Sequence, residues 1–310
     1  MKNTKYKIIF WGYPLHTDTL SYVWHAMKRA FEYLDYECYW FDDNTCPDNF
    51  NYENCVFVTE GKACNRMPIL KDNTYIVHYL HQPERFLGNV NRLIDMRYMI
   101  DRHFGDPLYT WEFDKNNCVK LDAGIYYDNN VVPYEKIYIA WATNLLPHEI
   151  NFENRFIERK PVFNFIGSIS PSYQWGQHDQ IQEFMDECSK NNIVCNHYNP
   201  WVNPQTEENL IKLTQESIIA PDFRGPKHLE IGLMPCRLFK NISYGQLGLT
   251  NSSRAHYYLE ETTVFSNSPS EIFYLGMNNK TNYDLIKKQM ELVKAKHTYI
   301  NRIRGLIKLL

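Results

Sequence analysis

No window of the 310 residues reaches the roughly 18 uninterrupted apolar positions that suggest a membrane-spanning helix, so no span is expected. The opening "MKNTKYKIIFWGYPL" offers only Ile8 to Trp11 as an apolar run before Gly12. That is too short for the core of a secretory signal, and the expected location is the cytoplasm, or a host cell's cytoplasm for a viral protein. The eight cysteines, at 38, 46, 55, 64, 118, 188, 195 and 236, form no Cys-x-x-Cys pair and no zinc-ribbon spacing, and read as reduced, mostly buried thiols. Neither sign of charge is in excess. With 33 Lys and Arg against 36 Asp and Glu, the net charge of -3 is no footprint for a dedicated nucleic-acid binder. Gly-x-Gly-x-x-Gly spacing is missing after both candidate first strands, which weighs against a Rossmann dehydrogenase.

What is present is apolar and aromatic. A 44% hydrophobic share can fill one large core or two ordinary ones, and 23 Tyr with 7 Trp offer area to bury and faces on which a ligand can stack. "KYKIIFWGYP" reads as a buried strand stopped by Gly12 and Pro14. "SYVWHAMKRAFEYLDYE" follows, with Val23, Met27, Ala30, Phe31 and Leu34 at helical spacing, and then "CYWFDD" as a second strand. This is a parallel strand-helix-strand unit, which "CVFVTE" and "TYIVHYLHQ" extend. The pattern restarts at "PVFNFIGS", a strand that opens into a Gly/Ser/Pro loop. The amphipathic "HDQIQEFMDECSKNNI" follows, with Ile181, Phe184, Met185 and Cys188 on one face. "ENLIKLTQES" reads as a helix and "IIAPDFRG" as a strand. The tail from Asn282 reads as a long helical segment broken once, with Ile286, Met290, Val293, His297, Ile300 and Ile303 at helical spacing. The expected fold class is α/β: two Rossmann-like domains facing a cleft, one over residues 1–157 and one with a closing helix over residues 158–310.

In open α/β sheets ligands bind beyond the carboxyl ends of strands, so the loops after strands are the places to search. The second half is the richer in anion donors: Gly167 permits close backbone approach, Ser168 adds a hydroxyl, and Arg224, Lys227, His228, Arg237 and Lys240 supply basic groups. A diphosphate would satisfy them, whereas an ordinary Gly-Ser loop with scattered basic residues is the plainer alternative. Arg237 and Lys240 stand at the start of a helix, where the macrodipole disfavours cations unless an anion sits in front of them. Pairing of Arg237 with a nearby carboxylate is the packing alternative. In the first half, His16 and Asp18 lie in the loop after the first strand, where a general base could reach a ligand. His81, beyond the apolar run, is the better candidate than His78 for acid-base work. His78, His81 and Glu84 do not converge as metal ligands, and "FDDN" reads as a solvated loop, so no metal is expected.

"CRLFKNISYGQLGLTNS", Cys236 to Ser252, resembles the donor-site element of glycosyltransferases with the two-domain GT-B fold, in which an Arg-x-Phe-Glu helix with small residues and a glycine leads into an apolar strand. The tail "ELVKAKHTYINRIRGLI" is similar to the closing helix of the spore-maturation-type glycosyltransferases. The resemblance covers about residues 160–310 and implies transfer of a sugar from a nucleotide-diphosphate sugar to a hydroxyl acceptor on a glycan, lipid or protein-linked group, with no cofactor or metal required. It makes residues 1–157 the acceptor-side domain, with His16 or Asp18 as base for the acceptor hydroxyl and His81 in sugar contact or acid-base work, and residues 158–310 the nucleotide-sugar-binding domain. It implies donor contacts from Arg237, Asn251 and Ser252. The family carries Glu, expected to hold the donor ribose, where this chain has Lys240. Lysine cannot accept those hydrogen bonds. Either Lys240 turns to phosphate, or Glu230 supplies the acceptor, or the donor is unusual. A nucleotide-sugar-binding protein without turnover and a transferase acting on nucleic-acid bases are the alternatives, the mild acidity weighing against the second.

Overall fold

The computed structural model describes residues 3–15, 19–78, 80, 82–86, 88–96, 115–116, 118–128, 132–171, 176–200, 202–234 and 236–310. The chain forms two compact α/β units, Met1–Gly105 with Asn117–Ile139 and Arg302–Leu310, and Asp106–Asn116 with Ala140–Asn301.

The first unit is built on a seven-stranded sheet. Its elements are β1 (Asn3–Trp11), α1 (Thr19–Tyr33), β2 (Tyr36–Phe41), β3 (Cys55–Thr59), β4 (Thr74–Val77), β5 (Arg92–Asp95), β6 (Val119–Asp128) and β7 (Val132–Ile139). The order is β2-β1-β3-β4-β5-β7-β6, with every pairing parallel except β6 with β7. Ile8, Ile9 and Phe10 are fully buried, as expected of a central parallel strand covered on both faces. The expected face of α1 closes on the sheet through Val23, Met27, Ala30 and Phe31. Because β2 and β3 flank β1 on opposite sides, the strand order reverses there, and the loops after β1 and β3 border the crevice that such a reversal opens. "FDDN" after β2 does more than face solvent: Asp42 accepts the Asn44 and Thr45 N–H groups, each at 2.7 Å, and Asp43 accepts those of Asn65 at 2.9 Å and Arg66 at 3.0 Å. Arg92 of β5 donates to Glu135 of β7 at 2.8 Å and to the Leu309 carbonyl at 2.6 Å, which ties the end of the chain into this unit.

The second unit opens with α2 (Phe152–Arg155), and β8 (Val162–Ile166), α3 (His178–Lys190) and β9 (Val194–Tyr198) form its first parallel strand-helix-strand unit. Then come α4 (Glu207–Glu216), α5 (Pro226–Glu230), α6 (Cys236–Ser243), β10 (Leu249–Thr250), α7 (Ser253–Tyr258), β11 (Val264–Phe265), α8 (Pro269–Asn279) and α9 (Tyr283–Lys296); α10 (Tyr299–Leu309) follows, its residues 302–310 belonging to the first unit. Phe163 of β8, Phe184 of α3, Phe223 and Phe273 of α8 are all buried, and Phe184 contacts the other three at ring separations of 4.9 to 5.7 Å. On α3, Ile181, Phe184 and Cys188 are buried and Met185 is half-buried.

The run "IIAPDFRG" is not the strand its composition suggests. Residues 218–222 bond to β8 through Ile218 N–H to Val162 O at 2.8 Å and to β10 through Asp222 N–H to Leu249 O at 2.8 Å, leaving a single bridge, Asp222 to Thr250. Pro221 has no N–H to offer, so the ladder cannot continue. The two units also differ in extent from a single division at residue 157. Residues 140–157 cluster with the second unit because Phe152 and Phe156 pack on Tyr283 of α9, at ring separations of 6.0 and 5.1 Å. The tail breaks at His297–Thr298, and all six of its spaced positions, Ile286 to Ile303, are buried. All eight cysteines are free thiols, four buried and four half-buried. Among the described residues no helix is long and apolar enough to cross a membrane.

Candidate functional site

Positive charge in the second unit gathers at the carboxyl end of β8. After Ile166 the chain turns at Gly167, whose φ of +135° lies in a region that L side chains avoid. Arg237, in the first turn of α6, crosses this turn. Its Nη2 donates to the Ile166 carbonyl at 3.1 Å, and its guanidinium carbon stands 4.6 Å over the Phe165 ring. A Cβ on Gly167 would lie 2.4 Å from that Nη2, so glycine serves both the backbone angle and the passage of the guanidinium. His197 of β9 holds the turn through Nε2 and the Gly167 carbonyl at 2.7 Å.

Asp222 supplies a fully buried counter-charge. Arg224 engages both of its oxygens, Nε to Oδ2 at 3.0 Å and Nη2 to Oδ1. Asn251 clamps the Arg224 backbone, its Oδ1 accepting the N–H at 2.8 Å and its Nδ2 donating to the carbonyl at 3.0 Å. Arg237 receives less from the same carboxylate: Nη1 stands 3.8 Å from Oδ1. About 20% of the Arg237 side chain is exposed, yet Nη1 itself is buried and has no hydrogen-bond partner among the described residues. Burial first, then the neighbouring Arg224, pulls the Arg237 pKa down to about 10, with Asp222 acting the other way. The side chain stays charged at neutral pH. The same two causes, in the same order, push His228 of α5 down to about 4, so its imidazole is neutral there.

Two cations therefore share one carboxylate, and one buried guanidinium donor is left over. An unsatisfied buried donor costs free energy that an incoming acceptor recovers, and a phosphate or carboxylate oxygen is the acceptor that suits a guanidinium. Lys240 stands three residues beyond Arg237 on α6, half-buried, and among the described residues no carboxylate pairs with its ammonium.

The remaining sequence candidates have other surroundings or lie outside the described residues. Lys227 pairs with Glu230 at 2.6 Å along α5, and 61% of the Glu230 side chain is exposed. The Ser252 hydroxyl caps α7 by accepting the Ala255 N–H at 3.2 Å, while the Ser168 carbonyl accepts Gln177 Nε2 at 2.8 Å. His16, Asp18 and His81 lie outside the described residues. His78 is buried edge-on against Trp24, the ring centroids 6.5 Å apart. Among the described residues no group of three or more His, Cys, Asp or Glu could hold a metal ion.

The two stretches that carry the resemblance meet in space. The His297 ring stacks on Phe239 of α6 at 4.8 Å and 17°, the Thr143 N–H donates to the His297 carbonyl at 3.2 Å, and the Thr143 hydroxyl lies 2.7 Å from that of Ser243. The helix that carries Arg237 and Lys240 is thus fixed by the closing motif. Sequence reasoning missed Asp222, Phe165 and His197. Only Asp222 left a signal, since two residues before Arg224 in an extended segment both side chains fall on one side.

No family model and no curated protein matches the sequence. Solved structures do match. An α,α-trehalose-phosphate synthase (UDP-forming) from Burkholderia xenovorans, in complex with glucose-6-phosphate, superposes with a TM-score of 0.51 at 9% identity, over 96% of this chain and 79% of its own. An α,α-trehalose 6-phosphate synthase from Burkholderia multivorans gives 0.47 at 9% identity, over 94% of this chain and 76% of its own. At such identity the first likeness is one of fold: this chain has the two-unit, Rossmann-like α/β architecture of that synthase.

Proposed function

We propose that the protein is a glycosyltransferase that moves a sugar from a nucleotide-diphosphate sugar to a hydroxyl acceptor on a glycan, lipid or protein-linked group in the cytoplasm. The observation that carries this reading is the buried Arg237 Nη1 without a hydrogen-bond partner, at the carboxyl end of β8 and the start of α6. A diphosphate leaving group gains negative charge as the glycosidic bond breaks. A guanidinium already held by Phe165 and the Ile166 carbonyl stabilises that charge without reorganising, and no metal is required. The fold likeness to a UDP-forming synthase supports a nucleotide-sugar donor. The spore-maturation-type resemblance of α6 and the tail supports the same donor site. On the acceptor side, His16, Asp18 or His81 supplies the base for the attacking hydroxyl. The test is a donor panel of UDP-, GDP-, ADP- and dTDP-sugars assayed for binding and slow hydrolysis. The expected result is one retained donor that is hydrolysed in the absence of acceptor, and a panel with no binding at all would overturn the reading.

Lys240 favours a second reading, a nucleotide-sugar-binding protein without turnover, because an ammonium stands where the resembled family has its ribose-holding Glu. The same panel separates the two: tight binding with neither hydrolysis nor transfer supports the binding protein.

A further inference from the structure

Arg224 and Arg237 look interchangeable in sequence, yet Asp222 treats them differently. Arg224 engages both carboxylate oxygens in a side-on fork, and its backbone is fixed on either side by Asn251. Asp222 is fixed too, by its N–H to the Leu249 carbonyl at 2.8 Å and by the bridge to Thr250. The carboxylate is thus saturated along one edge by an arginine that cannot easily leave. Arg237 is left at 3.8 Å, past hydrogen-bond length, with Nη1 unsatisfied.

We propose that Arg224 and Asp222 are a positioning pair: Arg224 occupies the Asp222 carboxylate so that it cannot close on Arg237, and thereby keeps Nη1 of Arg237 available to the anionic group of the ligand. Arg224 is then not itself a phosphate contact. The proposal rests on the donor-site reading only for the identity of the ligand, since the anion-binding role of Nη1 stands on geometry alone.

Charge arithmetic gives the variants distinct signatures. Counting Arg224, Arg237 and Asp222, the cluster carries one net positive charge. Arg224→Gln leaves none and frees Asp222 to close on Arg237. Asp222→Asn keeps the shape and removes the competitor, and the double variant restores both the wild-type charge and a free Nη1.

The experiment is calorimetric titration of the full chain and the three variants with UDP, GDP, ADP and inorganic diphosphate, each repeated at about 0.5 M salt, where general charge effects are largely screened. The expected order for the ligand that binds is a loss of tenfold or more for Arg224→Gln, affinity at or above wild type for Asp222→Asn, and recovery to near wild type in the double variant, with the order kept at high salt. A double variant as weak as Arg224→Gln, or an Asp222→Asn that binds more weakly than wild type, would overturn the pair. So would an order that vanishes at high salt. If Arg224→Gln does not fold, the sign of the change in Asp222→Asn decides. If the wild type binds inorganic diphosphate and no nucleotide, the donor reading fails and the pair is judged on diphosphate. A chain that binds neither overturns both.

Discussion

Gly167 and Arg237 occupy one space between them: the site of the missing Cβ is 2.4 Å from Nη2, and the same guanidinium is held by the Ile166 carbonyl and the Phe165 ring. Gly167→Ala therefore displaces Arg237 as well as straining a backbone at φ +135°. The expected cost is about 1 to 3 kcal/mol of stability, together with a loss of nucleotide affinity. Thermal unfolding and titration on the same variant check it. Wild-type affinity in Gly167→Ala would show that the guanidinium has no part in binding.

Arg237→Ala removes a charge-assisted contact worth about 1.5 to 3 kcal/mol, or about 10- to 150-fold in donor affinity. Stability should fall modestly, because Asp222 keeps Arg224 and no buried carboxylate is orphaned. A large drop in melting temperature with unchanged nucleotide affinity would falsify the binding role and leave Arg237 a packing residue.

Nucleotide should stabilise the chain without added divalent metal, by about 2.7 kcal/mol at ligand concentrations near 100 times the dissociation constant. Differential scanning calorimetry with EDTA present measures this. A shift that emerges only with magnesium or manganese would point to a metal-bridged diphosphate instead.

His228 predicts a pH dependence. Its folded pKa of about 4 lies below the ordinary 6.5, so the unfolded chain binds the proton more readily than the folded one. The contribution is fully present above pH about 6.5 and is lost as pH falls toward about 4. His228→Gln should flatten the slope of melting temperature against pH in that window. An unchanged slope would mean that other groups account for it.

Much of the fold was legible from periodicity. The strands opening each unit, the amphipathic faces of α1 and α3 and the broken tail all follow from the spacing of apolar residues, because burial acts on each segment by itself. "IIAPDFRG" defeated that reasoning: its apolar run suits a strand, but one proline removes the donor a ladder needs. The site was legible in kind and not in detail. Arg237 stood out because a cation at a helix start is anomalous, whereas Phe165 is indistinguishable in sequence from its buried neighbour Phe163 and becomes notable only once the guanidinium lies on it. For Lys227 the sequence shows a basic residue, and the structure adds its exposed partner, Glu230, one turn away.

Because residues 302–310 complete the first unit, that unit is discontinuous in the chain, and the whole of Ala140–Asn301 is synthesised before its last piece emerges. The strands of its sheet all lie within residues 3–139 and can pair early in synthesis, but the bond from Arg92 to Leu309 closes only after the second unit has been made. Truncation after Asn301 should therefore destabilise the first unit more than the second, a difference that limited proteolysis of the two units measures.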